Sequence, residues 1–240
     1  MDSYRELAVE ALESRGLRGE KVDFGTGCTV VHHHVTKEGE VRERGHYFAV
    51  QPKEGFWADT KERKSAGDTV ARCLQRLMGL SKLHPKRVLV AGLGNPSYTA
   101  DALGDATVAT LSPTDRRKLV RCGVEACTGI PTADVLAGIV RTQKIELVVA
   151  VDSLACANPT SLAANIQLSD AGIRPGGGLG MQRKAVNRTT LGVDVLYVGV
   201  PLISYVDAYA DHLCVTPRDI NSMIEHMSAM LARAIGQVVR

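Results

Sequence analysis

Apolar runs alternate along the chain with stretches of helical periodicity. The apolar runs predict buried β-strands over residues 86–92, 145–151 and 193–200. Around them, apolar residues recur every three or four positions and predict helices over residues 3–15, 69–80, 101–111, 133–142 and 218–238. Buried strands that alternate with helices are typical of a mostly parallel sheet with helices on both faces. The pattern therefore predicts an α/β fold.

Residues 29–52 have the pattern of a β-hairpin, with β-rich runs on either side of a turn at residues 37–40. The first run contains three consecutive histidines, His32 to His34. Neighbouring strand residues point to opposite faces, so only His32 and His34 could bind one metal ion, and the sequence shows no third ligand nearby. An exposed strand is the favoured interpretation, and a metal site is the alternative.

Length and composition limit the function classes. A protein of 240 residues can bury one large core, so we expect a single domain over residues 1–240, with the N-terminal helix and hairpin, about 1–55, as an appendage to its sheet. The net charge is only +3, and basic residues are not interleaved with aromatic ones, which argues against nucleic-acid binding. No run approaches the roughly 20 apolar residues of a membrane-spanning helix, and the charged N-terminus does not resemble a signal peptide. The six cysteines show no zinc-like spacing, as is typical of thiols in a reducing compartment. We expect a cytoplasmic protein.

Two aspartates follow predicted buried strands. Asp152 ends the strand at 145–151, and Asp101 follows the glycine-rich loop after the strand at 86–92. Ligands of open α/β sheets bind beyond the carboxyl ends of the strands, so both acids are candidate active-site residues. A simpler alternative remains for each: Asp101 could cap a helix, and Asp152 could accept hydrogen bonds from backbone amides of the next turn.

A pair of carboxyl groups in a partly dry crevice has a definite chemistry. Both groups cannot ionise cheaply, so one pKa rises and the pair shares a proton. Such a pair can activate a water molecule as base and protonate a leaving amine as acid, which is the combination that peptide hydrolysis needs. The same acids could instead bind a divalent metal ion, although a soft transition metal usually recruits His or Cys as well.

The other motifs are less specific. The glycines at 92–95 lack the third glycine of a dinucleotide-binding fingerprint, where Ser97 stands. Ser153 is not part of a G-x-S-x-G turn, which argues against a serine triad. The glycine-rich basic loop at 174–184 could bind an anion or a backbone carbonyl, or could be only a surface loop. Asp170 is interpreted as a third acid or a turn residue.

Taken together, the order and spacing of these motifs resemble the germination protease family of spore-forming bacteria, endopeptidases that degrade small acid-soluble spore proteins during germination. The matching segments span nearly the whole sequence: RELAVEA (5–11), GLGN and T-x-D-A-L-G (92–104), TGI (128–130), VAVDSLA (149–155), N-x-Q-x-S-D-x-G-I (165–173), PGGGLG (175–180) with Arg-Lys (183–184), TLG (190–192), GVP (199–201) and VTP (215–217).

The resemblance implies that Asp101 and Asp152 are the two catalytic acids of an aspartate-dependent hydrolase and that no metal or other cofactor is required. It implies a three-layer α/β sandwich with a mostly parallel or mixed sheet, similar to hydrogenase-maturation endopeptidases, which also have a GxGN loop followed by an acid. We expect the following residues to bind substrate: Asn95, Asp170, Arg174, Gly176, Gly177 and Arg183.

The resemblance also implies a zymogen-forming homotetramer of the forespore or spore core, with small acid-soluble spore proteins as substrates and neither nucleic acid nor membrane as a direct partner. Because the sequence begins almost at the 5–11 segment, we expect the self-cleaved propeptide of the family to be absent or vestigial. Arg174 stands where the family usually has His, so the substrate specificity could differ from that of other family members. Two alternatives remain: a metal-dependent, maturation-type endopeptidase, and a non-catalytic sporulation binding protein of the same fold.

Overall fold

The computed structural model describes residues 7–36, 43–175, 183–205 and 213–240. Its strands are β1 (Glu20–Val22), β2 (Thr29–Val35), β3 (Gly45–Gln51), β4 (Val88–Leu93), β5 (Arg117–Gly123), β6 (Leu147–Cys156), β7 (Ile166–Ser169), β8 (Asp194–Tyr205) and β9 (Cys214–Val215). Its helices are α1 (Ala8–Glu13), α2 (Thr60–Leu80), α3 (Leu103–Thr110), α4 (Glu125–Thr128), α5 (Thr132–Gln143), α6 (Arg188–Leu191) and α7 (Ile220–Val238).

All of these strands belong to one mixed sheet in the order β1-β2-β3-β7-β8-β6-β4-β5, with β9 paired to β8. The strands β5, β4, β6 and β8 run parallel to one another, whereas β1, β2, β3 and β7 pair antiparallel. The predicted hairpin is confirmed as β2 and β3, and β3 joins it to the rest of the sheet through β7. Its predicted turn at 37–40 lies outside the described residues.

Helices cover both faces of the sheet, which confirms the predicted α/β sandwich. Along β6, Val149 and Val151 pack into a hydrophobic cluster with α2, α3 and α7, and Val148, Ala150 and Leu154 pack into a second cluster with α5. Successive strand residues point to opposite faces, so a strand between two helical layers needs apolar residues at every position. This is why the central strands appear in the sequence as continuous apolar runs.

Two strands extend further than predicted. β6 continues to Cys156 and therefore places Asp152 inside the strand, not at its end. β8 continues through Pro201 to Tyr205, and the register between β6 and β8 shifts next to Pro201, after Leu154. Proline lacks an N–H group, so an irregularity of this kind lets a strand continue past it.

The N-terminal parts of the fold differ most from the prediction. α2 begins at Thr60, nine residues before the predicted start, and the Asp59 carboxylate caps it by accepting a 2.8 Å hydrogen bond from the Glu62 N–H. β1 and, further along the chain, β5 have no counterpart among the predicted strands. The interpretation of 29–35 as an exposed strand is wrong, because His33 is buried.

Candidate functional site

A cleft of about 260 Å³ lies at the carboxyl ends of β4, β5 and β6, and both predicted acids, Asp101 and Asp152, line it. β4 pairs with β6 only as far as Val151; beyond that point β6 pairs with β8, and its Ala155 carbonyl oxygen accepts a 3.3 Å hydrogen bond from the Leu7 N–H. The early end of β4 opens a notch in the sheet at the level of Asp152. Both acids therefore lie at the edge of the sheet where their sequence positions place them, although Asp152 lines the cleft from within a strand.

The loop after β4 holds Asp101 by backbone contacts. Gly94 has φ +90°, and a Cβ atom there would lie 2.0 Å from the Asp101 carbonyl oxygen and 3.0 Å from its Oδ1. The Asn95 N–H donates a 2.7 Å hydrogen bond to Oδ2 of Asp101, and the Asp101 N–H donates a 2.8 Å hydrogen bond to the Tyr98 carbonyl oxygen. Only glycine combines this backbone conformation with this close approach.

The helix that follows Asp101 is equally close to the sheet. A Cβ atom on Gly104, in the first turn of α3, would lie 2.2 Å from the Val151 carbonyl oxygen and 2.5 Å from the Leu93 carbonyl oxygen. α3 therefore begins directly against the ends of β4 and β6. The motif G-x-G-N…D-A-L-G therefore fixes the position of Asp101 by close backbone contacts at Gly94, before the acid, and at Gly104, after it.

The environment of Asp101 favours its protonated form. Burial raises the pKa of Asp101 to about 6, and this effect is opposed by the hydrogen bond from the Asn95 N–H and by the positive charge of Arg183. A carboxyl group in this range can hold a proton in mildly acidic solution and release it near neutrality.

Asp152 approaches the cleft from the other face of the sheet. It is 4% exposed, and its Oδ1 accepts a 2.9 Å hydrogen bond from the Ser153 N–H. By strand alternation its side chain is on the face covered by α5. The 3-10 turn Thr99–Asp101 contacts α7 on the opposite face. The two carboxyl groups thus reach one cleft around the end of β4.

The other predicted substrate-binding residues are distributed more widely. Asn95 and Arg183 line the cleft. Arg174 is not among the described lining residues; its guanidinium donates a 3.3 Å hydrogen bond to the Arg183 carbonyl oxygen and lies 3.8 Å from the Glu43 carboxylate.

Asp170 lies in a different cavity, where its carboxylate accepts hydrogen bonds from the His46 N–H at 2.7 Å and the Ser81 hydroxyl at 2.9 Å. The structure therefore does not bring Asp170 to the cleft as a third acid. Gly176 and Gly177 lie outside the described residues.

Three further polar residues line the cleft, Tyr98, Thr132 and Ser153, and the sequence does not predict any of them as a substrate-binding group. The Tyr98 side chain is 42% exposed, and its hydroxyl lies 3.9 Å from the Cys214 sulfur. Burial raises the pKa of Tyr98, as do the neighbouring Cys214 and the negative charge of Asp101. In the sequence, the position of Ser153 directly after Asp152 is the one indication that it lies at the site. From the sequence alone, that position suggests only a possible catalytic nucleophile.

Across the described ranges, no group of three or more His, Cys, Asp or Glu side chains is arranged to hold a metal ion. Within those ranges there is also no helix with the length and apolar character needed to cross a membrane.

Residues 10–211 match the family model described as germination protease. The chain belongs to the germination protease family. It is similar to the germination protease of Oceanobacillus iheyensis, with 31% identity over 94% of this chain and 65% of the relative, and to that of Halalkalibacterium halodurans, with 32% identity over 84% of this chain and 57% of the relative. The chain thus spans less than two thirds of the length of these curated relatives.

Among solved structures, the chain is similar to the NiFe hydrogenase maturation protease HycI of Thermococcus kodakarensis, with a TM-score of 0.47 and 18% identity over 70% of this chain and 98% of the other. It is also similar to the hydrogenase maturating endopeptidase HybD of E. coli, with a TM-score of 0.36 and 16% identity over 63% of this chain and 91% of the other. The fold class of this germination protease family member rests on its own strand order and its two helical layers.

Proposed function

We propose that this protein is a germination endopeptidase in which Asp101 and Asp152 share one proton and activate a water molecule. The observation that carries the proposal is that both acids line one cleft, where burial raises the pKa of Asp101 to about 6. Membership of the germination protease family supports the same reaction class.

In this mechanism the ionised carboxylate of the pair takes a proton from a water molecule while the water oxygen attacks the peptide carbonyl carbon. The carbonyl oxygen becomes an oxyanion, which the Arg183 guanidinium at the cleft can stabilise by charge. The protonated carboxyl then gives its proton to the leaving amide nitrogen as the C–N bond breaks. The first carboxyl keeps the proton from water, so the pair ends the cycle with one proton.

By its family we propose that the substrates are small acid-soluble spore proteins and that the protein acts in the spore core as a homo-oligomer. We also propose that it works as one domain, because β3, β7, β8 and β6 pair in series and connect the hairpin to the strand that carries Asp152.

The test compares wild-type protein with Asp101→Asn and Asp152→Asn in cleavage of a purified small acid-soluble spore protein. We expect each variant to lose roughly a thousandfold in rate, because each lacks one half of the acid–base pair. Asp115→Asn, at an exposed site outside the described cleft lining, is the matched control and should cleave normally.

Undiminished cleavage by either folded Asn variant would contradict the shared-proton mechanism. We expect chelators to leave the wild-type rate unchanged, and inhibition that added divalent ions reverse would favour the metal-dependent alternative. Tight binding of the spore protein without cleavage products would favour the non-catalytic alternative.

A further inference from the structure

The Ser153 side chain has an unusual environment for a buried polar group. It is 4% exposed, it lines the cleft, and its hydroxyl oxygen has no hydrogen-bond partner among the described residues. Most buried hydroxyl groups in folded proteins are hydrogen-bonded, because an unpaired one loses its bonds to water without replacement. An unpaired hydroxyl at the wall of a cleft indicates that a bound molecule completes its bonding.

The position of Ser153 in β6 defines what it can reach. Its own N–H is used by the Asp152 carboxylate, which leaves the hydroxyl for another partner. By strand alternation the side chain follows Val149 and Val151 onto the face covered by α3 and α7. The turn that carries Asp101 contacts α7 on that face. Ser153 and Asp152 therefore flank the strand on opposite sides at the level of the cleft.

The neighbouring backbone indicates the kind of group that binds there. β4 stops pairing with β6 at Val151, so Ser153 lies on a strand that pairs with β8 on one side and lines the cleft on the other, as far as Ala155, whose carbonyl oxygen accepts a 3.3 Å hydrogen bond from the Leu7 N–H. A peptide that enters the notch in an extended conformation presents backbone C=O and N–H groups to this part of β6. A hydroxyl group can donate to such a carbonyl oxygen without any requirement on the peptide's side chains.

We propose that the Ser153 hydroxyl is a substrate-binding group that donates a hydrogen bond to a backbone carbonyl oxygen of the peptide, next to the scissile bond. The inference rests on the proposed endopeptidase function and assigns backbone recognition to this part of the site. Ser153 positions the peptide for the two acids and takes no part in proton transfer.

The test is a kinetic comparison of Ser153→Ala with wild type on a small acid-soluble spore protein. We expect KM to rise roughly tenfold, equivalent to about 1.4 kcal/mol, with kcat changed less than about twofold, since the lost bond holds substrate and transition state equally. The urea midpoint of Ser153→Ala should equal or exceed that of wild type, because the variant removes an unpaired buried hydroxyl.

Two further variants control for packing. Ser153→Thr keeps a hydroxyl group at a strand position that accepts β-branched residues, and it should restore most of the lost affinity. Ser204→Ala removes another buried serine hydroxyl, in β8 and outside the described cleft lining, and it should leave KM unchanged.

An unchanged KM in Ser153→Ala would overturn the proposal. A fall in kcat together with a lower urea midpoint would also overturn it, because those changes indicate a structural role. If wild-type protein fails to cleave, the endopeptidase function fails separately, and binding of the fluorescently labelled spore protein becomes the measurement. Weaker binding by Ser153→Ala than by Ser204→Ala would then support the hydroxyl contact, and equal or absent binding would refute it.

Discussion

The backbone N–H of Asn95 donates a 2.7 Å hydrogen bond to Oδ2 of Asp101, six residues further along the sequence. This bond favours the ionised carboxylate, whereas burial of Asp101 favours the protonated acid and has the larger effect on its pKa. The loop therefore fixes the position of the carboxyl group and also moderates its affinity for a proton. Substitutions in this loop should change geometry and pKa together.

Gly94→Ala should damage both folding and cleavage. A Cβ atom at this position would meet the Asp101 carbonyl oxygen at 2.0 Å, and φ is +90°. We expect a loss of at least about 2 kcal/mol in the free energy of unfolding and about a hundredfold loss of cleavage rate, because the acid is displaced. Gly192→Ala, with φ +75° but open space around the new atom, is the control. In urea unfolding, the Gly192→Ala variant should lose about 1 kcal/mol of the free energy of unfolding. In cleavage assays, it should keep the wild-type rate.

Asp101 should make the stability of the protein fall as pH rises from about 4 to 6. In this window the folded state keeps the Asp101 proton, because its pKa is about 6, while the unfolded protein has released it. Ionisation in the folded state costs roughly 3 kcal/mol. Asp101→Asn removes this cost, so we expect the variant to be more stable than wild type above pH 6 and equal to it near pH 4. Urea unfolding at a series of pH values measures the difference, and a constant difference would contradict the prediction.

The histidine stack on the hairpin, formed by His32, His34 and His46, should affect stability in the opposite direction, so that stability falls as pH decreases. The His32 ring stacks on Phe48 at 4.4 Å between centroids, and its Nε2 lies 3.0 Å from Nδ1 of His46. Burial is the largest cause that lowers the pKa of both histidines. Below pH 6.5 the unfolded protein therefore binds protons that the folded protein does not, and stability falls as the solution becomes more acidic.

His32→Phe should reduce this acid sensitivity, since a phenyl ring can stack on Phe48 but does not bind a proton. The measurement is the melting temperature between pH 7.5 and 5.5. The control changes the exposed His84 to Gln, which removes a histidine outside the stack. An identical slope for His32→Phe and wild type would show that the stack does not cause it.

Arg117 should contribute more to stability than its neighbour Arg116. Its guanidinium is almost fully buried and donates hydrogen bonds to the Ser112 carbonyl oxygen at 2.8 Å and to the Val239 carbonyl oxygen at 2.7 Å, just after α7. Arg117→Ala leaves these carbonyl groups unpaired, so we expect a loss of about 3 kcal/mol in urea unfolding. Arg116→Ala, which removes one bond from an exposed side chain, should lose less than about 1 kcal/mol. Similar losses for the two variants would contradict the assignment.

The central strands could be predicted because helices cover both of their faces, which requires a continuous apolar run. β5 could not, because among the described strands it pairs with β4 alone and is partly exposed, and its sequence RKLVRCG mixes basic and apolar residues. The first half of α2 also lacks a clear helical signal, since its residues are mostly polar. The capping residue Asp59 is the signal for its start.

The two acids of the candidate site could be predicted from the sequence, but the other residues that line the cleft could be predicted less well. Asp101 and Asp152 could be found because a carboxylate after an apolar run has no role in packing. The contribution of Ser153 depends on where β4 stops relative to β6, and strand ends depend on tertiary contacts that local sequence does not determine. The pairing of His46 with His34 in the hairpin could not be predicted for a related reason: register becomes known only when both strands are placed.

The contact of Gly104 with the Val151 carbonyl oxygen has a consequence for how this molecule can vary. At Gly104 the first turn of α3 rests on the peptide groups of Leu93 and Val151, whereas its neighbour Leu103 packs into the hydrophobic cluster with α2 and α7. Exchanges among apolar residues away from that turn can therefore change overall stability while the acid next to it stays in register with the sheet. A single added methyl group at Gly104 would instead displace the helix and the acid together, because the new atom would lie 2.2 Å from the Val151 carbonyl oxygen.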